Sequence, residues 1–315
     1  MRKLKIVFMG TPDFAVTTLD AINNSEYDIV GVVTAPDRPA GRGRKLNESA
    51  VKQYALANNL KVLQPTNLKS EEFLAELNSL NANLQIVVAF RMLPKVVWQM
   101  PEYGTFNLHA SLLPNYRGAA PINWAIINGE TKTGVTTFFI DDKIDTGEII
   151  LQEETAIDSD ETAGTLHDKL MVLGASLVLQ TANLIANNKV TTKKQVVNGK
   201  LKSAYKIFKE TCEIDWQKPL DEIFNHIRGL SPYPAANTTL INNDEQIFIK
   251  IYKASKINEK HIYEAGKLIT TKKELKIAVN SGFILLEEIQ LPGKKRMSVA
   301  ALLNGLQFSE NAKVR

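Results

Sequence analysis

An asparagine, a histidine and an aspartate in the middle of the chain have the chemistry needed for acyl transfer. Asn107 and His109 are two residues apart in an extended run, so their side chains share one face of the expected strand. Asp145 opens an Asp-Thr-Gly turn, where we expect a second strand to end and to return the carboxylate to His109. An amide and an imidazole can stabilise a developing oxyanion, and a carboxylate can orient the imidazole and take part in proton transfer.

Other chemistries find less support. Ser111 precedes Leu-Leu-Pro, which is typical of a shape-determining turn, and Cys212 has no neighbouring base, so a covalent enzyme intermediate is disfavoured. The four histidines are scattered and show no metal-ligand spacing, so we predict no metal site. The first strand is followed by a turn with one glycine, which disfavours a dinucleotide site. We therefore expect direct transfer from a bound donor.

The residues before position 150 alternate short apolar runs with amphipathic segments. This alternation predicts an α/β fold with a Rossmann-like, doubly wound and mostly parallel sheet, whose ligands bind beyond the carboxyl ends of the strands. The predicted strands are 5–9, 28–34, 61–63, 85–90 and 105–109, and the predicted helices are 14–23, 48–59 and 70–79, with caps such as Asn47 and Ser70.

A long helix is predicted over 162–188, with His167 as a surface or packing residue. No apolar stretch approaches the roughly 18 residues that a membrane-spanning helix needs, so we expect no membrane insertion. The single cysteine fits a reducing cytoplasm. We expect a cytoplasmic monomer.

The C-terminal part has a different pattern and a different charge. We predict a catalytic domain over 1–189, a linker over 190–207 and a small β-barrel domain, similar to an OB-fold, over 208–315. Residues 201–315 carry 18 Lys and Arg against 13 Asp and Glu, whereas residues 1–200 carry 20 against 21. The five strands predicted for the barrel are 237–241, 246–254, 266–270, 274–278 and 283–290.

Two cationic segments are candidates for contact with phosphates. One is the loop over 34–45, which contains Arg38, Arg42, Arg44 and Lys45, and the other is the turn with Lys294, Lys295 and Arg296. Solvated surface is the alternative for both segments. Their charge, together with the basic C-terminal part, favours a polyanionic partner.

The motif Asn-Leu-His-Ala-Ser-Leu-Leu-Pro over 107–114, followed by Tyr-Arg-Gly at 116–118 and Asp-Thr-Gly at 145–147, resembles the folate-dependent formyltransferases. The resemblance implies 10-formyltetrahydrofolate as donor and Asn107, His109 and Asp145 as the catalytic triad. It also implies a folate pocket lined by two segments, whose residues are Ser111, Leu112, Leu113 and Pro114, and Phe90, Arg91, Met92 and Leu93. Arg91 stands where glycine is common in that family, so the chain departs from the family pattern at the pocket wall.

Further motifs resemble the branch of this family that formylates methionine on initiator tRNA. They include FMGTPDFAV at 8–16, APDRPAGRGRKL at 35–46, SPYPAA at 231–236 and LPGKKRMS at 291–298. The resemblance implies that the cationic loop contacts the acceptor stem and that the barrel adds backbone contacts. Two alternatives remain: a formyltransferase for a sugar-nucleotide amine, which Asn-Trp at 123–124 resembles, and an RNA-binding protein with a vestigial site.

Overall fold

The computed structural model of the chain describes residues 1–40, 45–197, 199–243 and 245–315, without the side chains of Ala40 and Lys45. Two compact units are present, and each is discontinuous in sequence. The first unit contains Met1–Gly118, Thr133–Thr155 and His167–Ser203. The second unit contains Ala119–Lys132, Ala156–Leu166 and Ala204–Arg315. The continuous domain boundaries at 189 and 208 stay a prediction.

Strands and helices alternate first and are followed by a run of strands. The strands are β1 (Lys5–Gly10), β2 (Asp28–Val33), β3 (Arg38–Ala40), β4 (Lys45–Asn47), β5 (Val62–Leu63), β6 (Leu84–Val88), β7 (Thr105–His109), β8 (Arg117–Gly118), β9 (Lys132–Phe139), β10 (Ile149–Ala156), β11 (Ser203–Ala204), β12 (Ala236–Asn242), β13 (Glu245–Ile257), β14 (Leu268–Thr270), β15 (Leu275–Val279), β16 (Gly282–Gln290), β17 (Met297–Ser298) and β18 (Lys313–Val314). The helices are α1 (Asp13–Asn23), α2 (Ala50–Ala57), α3 (Glu71–Ser79), α4 (Lys95–Trp98), α5 (Pro121–Ile127), α6 (Ala163–Ala186), α7 (Leu220–Leu230) and α8 (Val299–Leu303), with a 3₁₀ turn at Glu210–Cys212.

The first unit is built on a seven-stranded sheet with the order β10-β9-β7-β6-β1-β2-β5. The strands from β5 to β7 are parallel, and β9 runs antiparallel to β7. The order reverses between β1 and β6, which is the switch point where such sheets bind ligands. The predicted Rossmann-like, mostly parallel sheet is therefore confirmed.

Buried strands and capped helices explain why these segments adopt their structure. The four residues Ile6 to Met9 of β1 have 0% exposed surface, as expected for a central parallel strand covered on both faces. Ser70 caps α3 as predicted, because its hydroxyl accepts a hydrogen bond from the Phe73 amide. The predicted cap Asn47 was wrong: Ser49 caps α2, and Asn47 is the last residue of β4.

Helix α6 corrects one statement made from the sequence. Its 24 residues are long and apolar enough to cross a membrane by length and composition, so the view that no stretch approaches that length was wrong. Half of its most apolar window is buried inside the protein, and the core helices of soluble proteins pass the same test. For example, the added Cβ of an alanine at Gly174 would lie 2.7 Å from Leu108 of β7, which shows how closely α6 packs on the sheet.

The second unit contains an antiparallel barrel with the strand order β14-β15-β16-β13-β12-β18. The ends of this sheet meet, because the Leu268 amide donates to Ala312 and the Val314 amide donates to Gly266, at 3.0 and 2.8 Å. Strand β12 alternates buried and half-buried residues, which places one face toward the apolar interior. The predicted small barrel is confirmed, and the sequence patterns missed the short elements β17, α8 and β18.

Candidate active site

Asn107 and His109 lie at the carboxyl end of β7, next to the switch point of the sheet. Asn107 is opposite Val87 of β6 on one side and Phe138 of β9 on the other. Its side chain is half-buried, and among the described residues its amide has no hydrogen-bond partner. The amide is therefore available to a ligand.

The imidazole of His109 is 7% exposed and is fixed by a backbone carbonyl. Its Nε2 lies 2.8 Å from the carbonyl oxygen of Tyr116, which can only accept, so Nε2 carries a proton. Nδ1 is then the nitrogen that faces Asp145, at 3.8 Å from Oδ2. That separation is longer than a hydrogen bond, and catalytic contacts of this kind often shorten when substrate binds.

Asp145 does not end a strand as predicted, because β9 stops at Phe139 and Asp145 lies in the loop before β10. Its backbone has a φ of 54°, in the left-handed region that is uncommon for residues other than glycine. Its Oδ2 accepts a 2.9 Å hydrogen bond from the Gly118 amide. The structure thus brings the predicted aspartate beside the predicted histidine.

Gly147 makes the turn after Asp145 sterically possible. A Cβ at this position would lie 1.6 Å from the carbonyl oxygen of Phe139, a distance that real atoms do not adopt. The close approach of these two backbone segments requires glycine. The Asp-Thr-Gly motif therefore combines a carboxylate with the residue that allows its loop to close.

Gln195 is a residue of this site that the sequence analysis missed. Its amide nitrogen donates to the carbonyls of Asp145 and Gly147, and its oxygen accepts from the Arg117 guanidinium. The residue lies in a polar segment without periodicity, which the sequence patterns predicted as linker. No local signal in the sequence connects it with Asp145, 50 residues earlier.

The turn over 111–114 is held by buried polar contacts. The Ser111 hydroxyl is fully buried and donates to the Asn115 carbonyl, so its side chain shapes the turn. The Thr136 hydroxyl donates to the Ser111 carbonyl at 2.6 Å, and Gln152 donates to the Leu113 carbonyl at 2.9 Å. Leu113 is buried, whereas Leu112 and Pro114 are half-buried.

The second predicted folate segment follows β6 and leaves the sheet at the same edge as the turn after β7, because the two strands are adjacent and parallel. Leu93 is buried, Phe90 is half-buried and Met92 is 66% exposed. The Arg91 guanidinium donates to the carbonyls of Thr66 and Pro65, and burial lowers the pKa of this group from its ordinary value, with a smaller contribution from Arg38. Arg91 therefore ties two loops together at this edge.

At the two ends of the cationic segment, β3 pairs antiparallel with β4. Arg38 is exposed at its start, while Arg42 and Arg44 lie outside the described residues and the side chain of Lys45 is not described. Asp37, next to Arg38, accepts from Lys52 at 2.5 Å and from Gln64 at 2.8 Å, and Lys52 also pairs with Glu48. The hydrogen bonds from Lys52 and Gln64 hold the pKa of the Asp37 carboxyl below its usual range.

The three cations of the C-terminal turn differ in their surroundings. Lys294 and Lys295 are exposed, and no contact of their side chains is found among the described residues. Arg296 pairs with Glu288 and stacks over the Tyr252 ring, with its guanidinium carbon 4.7 Å from the ring centre. The two lysines are thus less engaged by neighbouring side chains than Arg296 is.

Neither a metal site nor a reactive thiol is found in the part of the chain that the structure describes. No group of three or more His, Cys, Asp or Glu residues there has the arrangement of a metal site. Cys212 is buried, and burial raises the pKa of its thiol. A raised pKa reduces the thiolate fraction and with it the reactivity of this residue.

Comparison with known proteins decides which family this geometry represents. Residues 4–182 match the family described as formyl transferase, and residues 206–307 match the formyl transferase C-terminal domain. The chain belongs to the formyl transferase family. Gln195 lies between the two matched ranges of this formyl transferase.

Relatives of this formyl transferase match it over the whole chain. A protein of Flavobacterium johnsoniae named methionyl-tRNA formyltransferase is 67% identical over 314 residues, which is 100% of both chains. A protein of Bacteroides thetaiotaomicron with the same name is 52% identical and covers 99% of this chain, with 98% of the relative covered.

Solved structures show the same fold at lower identity. WlaRD, a sugar 3N-formyl transferase, is 24% identical with a TM-score of 0.67, covering 94% of this chain and 100% of its own. An N-formyltransferase from Helicobacter canadensis is 24% identical with a TM-score of 0.66, covering 90% of this chain and 98% of its own.

Proposed function

We propose that this enzyme transfers a formyl group from 10-formyltetrahydrofolate to the α-amino group of methionine on initiator Met-tRNA, for translation initiation. The observation that carries the proposal is the 67% identity, over the full length of both chains, to a relative named methionyl-tRNA formyltransferase. The sugar formyl transferases resemble this chain at 24% identity, which concerns the fold alone. The side chains at the carboxyl end of β7 have the chemistry that the reaction needs.

The two loops at the switch point are our candidates for the folate pocket. Phe90, Met92 and Leu112 present half-buried or exposed apolar surface that could cover a planar ring, and Asn107 adds a free amide. The backbone of these loops is held by Arg91 on one side and by Thr136 on the other. A fixed backbone is favourable for a pocket because little order has to be gained on binding.

In the proposed reaction the donor supplies the formyl carbon to which the free amine adds. As negative charge develops on the formyl oxygen, the Asn107 amide donates a hydrogen bond to it and the His109 imidazole helps to stabilise it. The Tyr116 carbonyl keeps Nε2 engaged, so that Nδ1 is the nitrogen turned toward Asp145. Asp145 orients the imidazole and accepts the proton that the attacking nitrogen loses.

The proton count balances without a covalent enzyme intermediate. A new carbon–nitrogen bond forms to the amine, and the bond between the formyl carbon and the donor nitrogen breaks. The proton lost by the amine is returned to the leaving nitrogen, so the enzyme ends in its starting state. The three side chains therefore account for the reaction, and no serine or cysteine nucleophile is needed.

For the tRNA we propose contacts from two cationic surfaces. One is the cationic segment over 34–45, with Arg38, Arg42, Arg44 and Lys45, and the other is the turn with Lys294, Lys295 and Arg296. Contacts of this kind bind the phosphate backbone and position the acceptor without reading its bases. We also propose that the enzyme acts in the cytoplasm as a monomer, which sedimentation would find at 35.0 kDa.

The acceptor is tested by offering two amines to the enzyme with the same labelled donor. We expect rapid formylation of initiator Met-tRNA and negligible formylation of a sugar nucleotide with a free amino group. Preferred transfer to the amino sugar would replace our proposal with the sugar-nucleotide alternative. Tight tRNA binding without transfer to either amine would favour an RNA-binding protein with a vestigial site.

A further inference from the structure

Gln195 connects the two loops that support the catalytic histidine and aspartate, and we propose that it positions Asp145 for formyl transfer. This inference rests on the proposed function. Among the described residues, the Gln195 side chain hydrogen-bonds to the backbone carbonyls of Asp145 and Gly147 and to the Arg117 side chain. None of these hydrogen bonds is to the side chain of Asn107, His109 or Asp145. It is therefore a positioning residue that acts through Asp145.

Within the described residues, the Gln195 side chain makes four hydrogen bonds, and all of them lead to the catalytic loops. Nε2 donates to the carbonyl oxygens of Asp145 and Gly147, at 2.9 and 2.8 Å. Oε1 accepts from Nε and Nη2 of Arg117, at 3.1 and 2.6 Å. The partners settle the orientation of the amide, because the reverse orientation would place its oxygen against two carbonyls and its NH₂ group against a guanidinium.

Asp145 needs this support because its own conformation is unfavourable. Its φ of 54° lies in the left-handed region, which costs a residue with a side chain more than the right-handed regions do and is favoured here by contacts that hold it. One end of the residue is held by the Gly118 amide, which donates to Oδ2 at 2.9 Å. The other end is held at its carbonyl by Gln195, and Gln195 also holds Arg117, the neighbour of Gly118.

The chain around Gln195 is itself fixed against the catalytic loop. Ile149 and Lys193 exchange two backbone hydrogen bonds, at 2.8 and 2.9 Å. The Thr192 hydroxyl donates to the carboxylate of Glu148. Gln195 therefore reaches the Asp145 loop from an anchored segment, although the sequence around it has no periodic pattern.

The kinetic test compares two substitutions with one matched control. Gln195→Met keeps the length of the side chain and removes all four hydrogen bonds, whereas Gln195→Glu keeps an acceptor for Arg117 and loses the donor to both carbonyls. Gln180→Met is the control, since Gln180 is exposed on α6 and its side chain hydrogen-bonds to Ser176 and to no other described residue. We expect kcat to fall roughly 10- to 100-fold in both Gln195 variants. We expect the KM of each substrate to stay within about twofold.

A second readout needs no turnover. The Gly118 amide donates to Asp145 Oδ2, so its nitrogen-15 NMR resonance and its hydrogen exchange report where the carboxylate lies. Relative to the wild type, we expect the Gly118 resonance to shift and the protection of the Gly118 amide against hydrogen exchange to drop in both Gln195 variants. Both quantities should be unchanged in Gln180→Met. If Gln195→Met does not fold, Gln195→Glu carries both measurements.

The outcomes separate this inference from the proposed function. A wild-type enzyme that transfers no formyl group would refute the function, and the Gly118 resonance would still decide the role of Gln195. Wild-type kcat in the Gln195 variants would overturn the inference even if the wild type is fully active. A rise in KM alone, or an unchanged Gly118 resonance, would overturn it as well.

Discussion

At the scale of single residues, a substitution of Asn107 should affect the reaction without affecting the stability of the fold. Because this amide has no hydrogen-bond partner among the described residues, its removal should cost the fold little. If it donates to the developing oxyanion, its loss should cost about 2.7–4 kcal/mol of transition-state stabilisation. The activity and the unfolding temperature of an Asn107 variant can therefore be interpreted separately.

We predict that Asn107→Ala lowers kcat about 10²- to 10³-fold and leaves the unfolding temperature within a few degrees of the wild type. Asn107→Asp, which replaces the donor by an acceptor, should be at least as impaired. Asn183→Ala, on the exposed side of α6, is the control and should behave as the wild type. An Asn107→Ala enzyme with kcat within threefold of the wild type would remove this residue from the mechanism.

The pair Asn107 and His109 was predictable from the sequence, whereas their supporting contacts were not. The alternation of side chains along a strand is local, so two residues at spacing two share a face wherever the strand lies. The Tyr116 carbonyl, the Gly118 amide and the Gln195 amide act through contacts that only the folded backbone creates. The strand that was predicted to end at Asp145 ends at Phe139. The apolar Ile140 extends the strand-like pattern of the sequence beyond this end, so the pattern alone did not locate it.

At the scale of elements, the loop between β9 and β10 depends on the absence of a side chain at Gly147. An added methyl group would collide with the Phe139 carbonyl, so the two segments would have to separate and Asp145 would move with them. A displacement of about 1 Å at a catalytic group can cost about 100-fold in rate.

We therefore predict that Gly147→Ala lowers kcat about 100-fold or more. Gly305→Ala serves as control, because its added Cβ would lie 4.0 Å from the nearest neighbour and meets no clash. The measurement is steady-state formylation of Met-tRNA at saturating donor, together with the unfolding temperature of both variants. Equal rates in the two variants would show that the loop tolerates the methyl group.

The contacts at the two ends of the cationic segment 34–45 lead to a second prediction at this scale. Lys52 pairs with Asp37 at 2.5 Å and with Glu48 at 2.8 Å. Asp37 directly precedes β3 and Glu48 directly follows β4, so Lys52 holds the two ends of the cationic segment together. We predict that Lys52→Met raises the KM for Met-tRNA several-fold and leaves the KM for the donor unchanged. Lys69→Met is the matched control, since Lys69 is exposed and outside the ion pairs found in the described residues.

The pH dependence of this ion pair follows from the two pKa shifts. The pKa of Asp37 is lowered, chiefly by its hydrogen bond from Lys52. Its contribution to the stability of the folded protein is therefore present above the ordinary carboxyl pKa and is lost only as the pH falls through the lower pKa of the folded state. The pKa of Lys52 is raised, chiefly by its hydrogen bond to Asp37. Its contribution to the stability of the folded protein is therefore lost only as the pH rises through the higher pKa of the folded state. The ratio of the tRNA KM of Lys52→Met to that of the wild type should therefore stay constant from about pH 5 to about pH 9. A ratio that approaches one near the lower limit would contradict the ion-pair explanation.

At the scale of the whole molecule, the sequence predicted both architectures, because alternating elements and repeated short strands are patterns that span many residues. The discontinuous composition of the two units was not predictable, since the assignment of 119–132 and 156–166 to the second unit is a tertiary property. The uneven charge of the chain was visible in the sequence, and its consequence for tRNA binding can be measured.

Salt should weaken the binding of tRNA steeply, because each phosphate contact releases counterions. We predict that replacing both Lys294 and Lys295 by glutamine reduces the slope of log affinity against log salt by about 1 to 2. The control replaces Lys272 and Lys273, a second exposed pair of adjacent lysines in the barrel, and should leave the slope unchanged. Equal changes in both double variants would indicate a general charge effect.

The central claim is that the side chains at the carboxyl end of β7 transfer a formyl group to the amine of Met-tRNA. The most direct measurement is single-turnover transfer of labelled formyl from 10-formyltetrahydrofolate to initiator Met-tRNA, with enzyme in excess, for the wild type and for His109→Ala, with His167→Ala as the histidine control. We predict rapid transfer by the wild type and by His167→Ala, and a rate about 10²-fold or more lower for His109→Ala. No transfer by the wild type, or equal rates for the wild type and His109→Ala, would contradict the account.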